Sequence, residues 1–213
     1  MTDKELNEWA AAFAEFTEAE INQFRKEVQE VERNLFSDFG ELVSTLIFTG
    51  GVLSSENDLS EIVAKLDALY QRWATDETFT NAVSKYIRNF PIIRKRVMEM
   101  QSALNHIRYT PELIQKLTAS EKFLMDKTLY DLGEGMIKRY FVEDAKQIVL
   151  EAAYFGFSQQ EINRRYRARL LSQPDKDSYY MRYATQITRD AAYNYQGQIQ
   201  EAIAEEYEMD CIR

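Results

Sequence analysis

The chain has 213 residues and a formal net charge of −9, with 45% hydrophobic and 29% charged residues, enough for one or two modest domains with a real core. Aromatic residues at 13%, with only 7 Gly and 3 Pro, exclude both a disordered chain and a many-stranded sheet protein with its many turns. One His (His106), one Cys (Cys211) and no Gly-rich phosphate loop remove support for a disulfide framework, a His-rich zinc site or a thiol–His dyad.

From Leu6 the apolar positions run through Trp9, Phe13, Phe16, Phe24, Val28, Val31, Leu35, Phe39, Leu42 and Leu46 at steps of mostly three and four, which predicts one helical face. The helix is expected from about Lys4 to Phe48, roughly 65 Å at about 1.5 Å per residue, with Gly50-Gly51 ending it and Gly40 as a candidate break. Its stripe can pack on the chain's own helices or form an intermolecular seam. The arm reading takes the second: an interaction surface only partly covered by its own domain. Asp58-Leu59-Ser60-Glu61 caps a second helix through Trp73. A third, from Thr75–Thr78, should break or kink at Pro91. Thr110-Pro111-Glu112 caps a further helix, and Thr118-Ala119-Ser120-Glu121 repeats the capping pattern before Leu124. Gly133 and Gly135 mark a joint. Met136–Phe155 reads as a helix closed by Gly156, and Ser158-Gln159-Gln160-Glu161 starts the next. A polar loop over 172–177 precedes a final helix through Tyr207.

The acidity is local: residues 1–60 hold 4 Lys/Arg against 13 Asp/Glu, whereas residues 158–190 hold 7 against 4. DNA contact is therefore not indicated by the net charge, although a local basic contact stays open. The N-terminus lacks the basic and apolar regions of a signal peptide. The longest apolar stretch, Leu42–Val52, is broken by Ser44, Thr45, Thr49 and the Gly pair, far short of the roughly 20 residues that span a bilayer. A soluble protein without a membrane span is expected.

No chemistry of catalysis emerges. A di-metal carboxylate site would need Glu-x-x-His from two helices, and one His cannot supply it. Asp175-Lys176-Asp177 opens like a calcium loop but lacks the Gly and the closing Glu. Cys211 has no basic neighbour to activate it. His106 reads as an ordinary polar or capping residue. The arginines Arg164, Arg165, Arg167 and Arg169 surround one helix: either a solvated face with intrachain ion pairs, or a contact for an acidic protein surface or DNA. Tyr179, Tyr180, Tyr183, Tyr193 and Tyr195 divide in the same way between core and interface.

The order Phe155-Gly156-Phe157-Ser158-Gln159-Gln160-Glu161-Ile162, an Arg-rich helix, a polar loop, Ala184-Thr185-Gln186-Ile187-Thr188-Arg189-Asp190, Tyr195-Gln196-Gly197 and Glu201–Tyr207 resembles the tailed-phage head-morphogenesis or minor head protein family, the Mu F-like group, over about residues 150–213. The resemblance implies a structural protein of the virion head, associated with the portal vertex and made in the host cytoplasm, and not an enzyme. Its motif positions are Gly156, Ser158, Ile187, Arg189, Asp190 and Gly197. Gly156 fits a helix C-cap, Ser158 an N-cap and Gly197 a close helix approach. Arg189 fits a desolvated ion pair with Asp190 or an earlier helix. Family members continue past this point into an Arg/Cys-containing region. The acidic last turns (Glu201, Glu205, Glu206, Glu208) are expected to meet basic groups of a neighbouring subunit or to lead into a further segment, because the helix dipole disfavours negative charge there. Met209–Arg213, apolar at alternate positions, reads as the start of a strand.

Together these readings predict an all-α, elongated bundle with a long N-terminal helical arm (1–50), a helical bundle (51–135) and the helical part of a head-morphogenesis-like domain (136–213). The expected partners are the portal or other virion proteins, with a homo-oligomer compatible; no cofactor or metal is implied. The alternative is a soluble bacterial helical adaptor or coiled-coil scaffold binding through residues 5–48.

Overall fold

Local capping chemistry fixes most of the helix boundaries in the computed structural model, which describes residues 2–135, 137–173 and 176–209. Helix α1 (Asp3–Ser44) runs 42 residues without a break at Gly40, about 63 Å at the usual rise. It does not reach the Gly pair. Gly50 and Gly51 take φ of 63° and 84°, the backbone region open to glycine, and turn a two-residue hairpin between β1 (Phe48–Thr49) and β2 (Val52–Leu53). That is the geometry whose twist suits paired strands.

Asp58 caps α2 (Leu59–Ala74) by accepting from the Ser60 and Glu61 amides. Asp76 does the same for α3 (Glu77–Ile87) through the Phe79 amide. Pro91 then sits in the first turn of α4 (Phe90–Asn105), where its missing N–H costs nothing. The expected break at Pro91 therefore falls just before it. His106 closes α4 in the left-handed region at φ 55°, a capping role. Thr110 accepts from the Leu113 amide at 3.1 Å to start α5 (Pro111–Tyr130). The second capping pattern expected at Thr118–Glu121 is not a helix start: α5 runs through it, and Thr118 donates back to the Ile114 carbonyl at 2.8 Å. The helix expected from Met136 is likewise different in kind. Wider π-helical turns occupy Asp131–Gly135 and Ile137–Val142 before α6 (Glu143–Phe155) begins. Helices α7 (Gln159–Leu170) and α8 (Tyr179–Glu206) complete the chain. Among the described residues the fold is all-α apart from the small hairpin. The strand expected over Met209–Arg213 lies outside the described residues from 210 onward.

Two compact units divide the chain at joints other than those after residues 50 and 135. The first takes Met1–Phe24, Ser84–Tyr130 and Gln186–Arg213; the second takes Arg25–Val83 and Asp131–Thr185. In the first, Phe24, Tyr86, Phe90 and Tyr195 form a chain of rings with centroids 5.3–6.2 Å apart, and the Tyr86 hydroxyl donates to the Thr188 carbonyl. In the second, Phe39 lies 3.7 Å from Tyr166, and Phe141 packs at 4.5 Å from Tyr180 and edge-on to Trp73.

The α1 stripe is buried along almost its whole length: Phe13, Ile21 and Phe24 in the first unit, and Val28, Val31, Leu35, Phe39, Leu42, Val43 and Leu46 in the second. This corrects the expectation of a partly uncovered arm. Burying that many large apolar side chains, at about 1.5–3 kcal/mol each, makes α1 a core element. The acidic end of α8 also finds partners in its own unit. Lys116 pairs with Glu205 at 3.2 Å, and Thr110 donates to Glu206.

Candidate docking surface at the α6–α7 corner

Gly156 makes the corner possible. With φ at 70° it ends α6 in the left-handed conformation, donating to the Ala152 carbonyl, a backbone state that costs any residue with a Cβ. Two residues on, Ser158 accepts from the Glu161 amide at 3.2 Å and starts α7. The β2 strand ties into the turn between them: the Leu53 amide donates to the Phe157 carbonyl at 2.9 Å, and Val52 lies 3.7 Å from where a Cβ on Gly156 would stand. Asn57 clamps the hairpin base by both accepting from the Ile47 amide and donating to its carbonyl.

This construction turns apolar groups outward. Tyr154 is 84% and Phe155 66% exposed, with Leu150, Val52 and Ile47 also exposed. The rings of Tyr154 and Phe155 lie 4.9 Å apart, and those of Phe155 and Phe157 stack at 6.0 Å. Scattered exposed apolar residues are ordinary, but contiguous rings held by a fixed turn make a candidate interaction surface. The Arg165 guanidinium covers the Phe157 face at 4.1 Å from the ring centre, rimming the cluster with charge.

The arginines of α7 are mostly engaged within the chain. Arg164 grips both oxygens of Glu161 at 2.7 Å, and Arg165 binds Glu161 at 2.7 Å and Glu151 at 3.3 Å. These two guanidiniums hold the Glu161 carboxyl down at about 2. Arg169 pairs with Asp144 at 3.1 Å; burial nevertheless raises the Asp144 carboxyl above its ordinary value. Arg167 is exposed and has no ion-pair partner among the described residues. The ion-paired reading of this helix therefore holds for Arg164, Arg165 and Arg169.

Of the sequence-selected residues, the second unit brings together Gly156, Ser158 and the arginines. Ile187, Arg189, Asp190 and Gly197 belong to the first unit. There Arg189 forms a two-pronged pair with Glu18 of α1 at 2.9 and 3.0 Å. Its side chain is 46% and that of Glu18 42% exposed, so it is not the desolvated pair expected. Ile187 is half-buried and Asp190 exposed. Nothing lies within 4 Å of a Cβ placed on Gly197, which removes the expected close helix approach there. The tyrosines divide: Tyr180 and Tyr195 are core, while Tyr179, Tyr183 and Tyr193 are exposed.

The surface residues themselves escaped the sequence reading, although a signal existed. The buried positions of α6 are Ala145, Ile148, Val149 and Ala152, and Leu150 and Tyr154 fall off that face. Among the described residues no group of three or more His, Cys, Asp or Glu could hold a metal ion, and no helix is long and apolar enough to cross a membrane. No family model, curated protein or solved structure matches this chain.

Proposed function

We propose that the protein is a non-catalytic structural component of a tailed-phage virion head, docking at the portal vertex during head assembly or DNA packaging. The observation that carries the reading is the coincidence of two features on one short segment. Phe155-Gly156-Phe157-Ser158 opens the motif order that resembles the minor head family, and the same residues hold the exposed aromatic cluster at the α6–α7 corner. A portal subunit or another virion protein is the partner, meeting Tyr154, Phe155 and Val52 across a rim set by Arg165. Aromatic anchors rimmed by Arg are the usual energetic centre of such contacts. The adaptor alternative placed its contact on residues 5–48, whose apolar stripe is core.

The test is incorporation. Heads purified from the phage that encodes the chain should contain it in a fixed copy number by quantitative mass spectrometry. A Tyr154→Ser/Phe155→Ser variant should keep its helical circular dichroism and be lost from the heads. Heads that lack the wild-type chain would overturn the assignment.

A further inference from the structure

A second surface of the Arg25–Val83/Asp131–Thr185 unit carries rings and cations together. The π-helical turns of Ile137–Val142 place Tyr140 against Tyr183 of α8, ring centres 4.6 Å apart and 19° from parallel. Tyr179, one turn before Tyr183, lies on the same helix face. Tyr179 is 47% and Tyr183 40% exposed. The Arg182 guanidinium sits 4.4 Å over the Tyr179 ring, and that of Arg139 lies 5.6 Å from the Tyr140 ring. Arg139 and Arg182 are exposed, and neither has a carboxylate partner among the described residues. Asp144 is paired with Arg169, and Asp177 with Arg25 at 2.8 and 2.9 Å. Irregular π-turns inside helices are frequent at functional sites.

We infer that this surface, Arg139, Tyr140, Tyr179, Arg182 and Tyr183, binds single-stranded nucleic acid, stacking bases on the tyrosines and holding phosphates with the two guanidiniums. Base–aromatic stacking beside a cationic track is how sequence-tolerant single-strand binders work. Duplex DNA is a poor fit. Its base faces are occupied by one another, and two cations on a chain of net charge −9 supply little of the counterion release that duplex affinity needs. An acidic peptide would use the cations and leave the rings idle. The inference needs no virion head, and its test is made on the isolated chain.

The experiment is fluorescence anisotropy of a labelled oligo(dT) of about 20 nucleotides with the full chain. Two phosphate contacts predict a log–log salt slope of about −1.4, hence a loss of about sevenfold between roughly 50 and 200 mM salt. An Arg139→Ala/Arg182→Ala variant should lose most of that slope. Tyr183→Ala should weaken binding about fivefold or more, while Tyr183→Phe, which keeps the ring, should bind like wild type. Unchanged circular dichroism and melting temperature establish that each variant is folded. Absence of binding at about 50 mM salt overturns the inference. So does a matched duplex or poly-glutamate that binds as tightly as oligo(dT), or binding that ignores Tyr183→Ala.

Discussion

Each unit buries a carboxylate, and the two do so differently. Glu121, in the first unit, receives the Arg94 guanidinium at 3.2 Å and the Tyr195 hydroxyl at 3.0 Å. Glu32, in the second, receives only neutral donors among the described residues: the Ser172 amide and hydroxyl, and the Ser178 hydroxyl. Ser178 in turn accepts from the Met181 amide at 2.9 Å, so Glu32 holds the loop before α8 to the middle of α1. A buried charge with a counter-charge loses most when its partner is removed. One satisfied by hydroxyls instead carries its desolvation cost in its proton affinity, because the neutral form keeps most of the bonding at a lower burial penalty. Burial accordingly lifts the Glu32 carboxyl above its ordinary 4.5, and the nearby Asp177 charge adds to this against the lowering effect of the serines.

The largest expected effect concerns α1, which both units share. Deleting residues 1–48 removes buried side chains from each. Their summed burial exceeds the 5–15 kcal/mol of net stability that holds ordinary proteins together. The truncated chain should show no cooperative melt by circular dichroism; a cooperative melt would return α1 to the status of an arm.

Next come the carboxylates themselves. Glu121→Ala should cost about 3 kcal/mol in urea unfolding, the low end for a broken buried pair because Arg94 keeps some water contact. Glu32→Ala should cost about 1–2 kcal/mol, since it strands hydroxyl and amide donors but no charge. The reverse order would refute the distinction between the two sites.

The pH dependence separates them further. Because the Glu32 carboxyl is raised in the folded state, its contribution is fully present below the unfolded value of 4.5 and is lost as pH rises through the folded value. Glu32→Gln does not titrate. The melting temperature of Glu32→Gln minus that of wild type should therefore grow as pH is raised from about 4.5 to 7. A flat difference would mean that Glu32 is better solvated than its neighbours imply.

The smallest effects are at the motif positions. Gly156→Ala, forced into φ 70° beside Val52, should lose about 1 kcal/mol. Arg189→Ala, at a half-exposed pair, should lose less than about 1 kcal/mol, well below the cost of Glu121→Ala.

Sequence reading succeeded where a signal and its effect lie within a few residues. Asp58, Thr110 and Ser158 each satisfy an amide two or three positions on, and Gly156 closes a helix by its own φ. The same kind of pattern failed at Thr118–Glu121 because Glu121 is claimed from 74 positions away by Tyr195. A local capping rule cannot weigh that bond. Ser178 is the converse case. It caps α8, yet no acid stands three residues later to announce it, and its hydroxyl is oriented by Glu32, 146 positions away.

The sequence alone determined the all-α character, the course of a long first helix and the α6–α7 corner, since helical periodicity, caps and glycine conformation are properties of short segments. Whether the α1 stripe was core or seam, and which ring of each tyrosine group met solvent, only the tertiary structure decided. So too for the π-helical turns that set Tyr140 on Tyr183, and for the carboxylate that received a counter-charge. Each of those depends on which distant residue arrives to cover or pair a group, and spacing along the chain carries no record of that arrival.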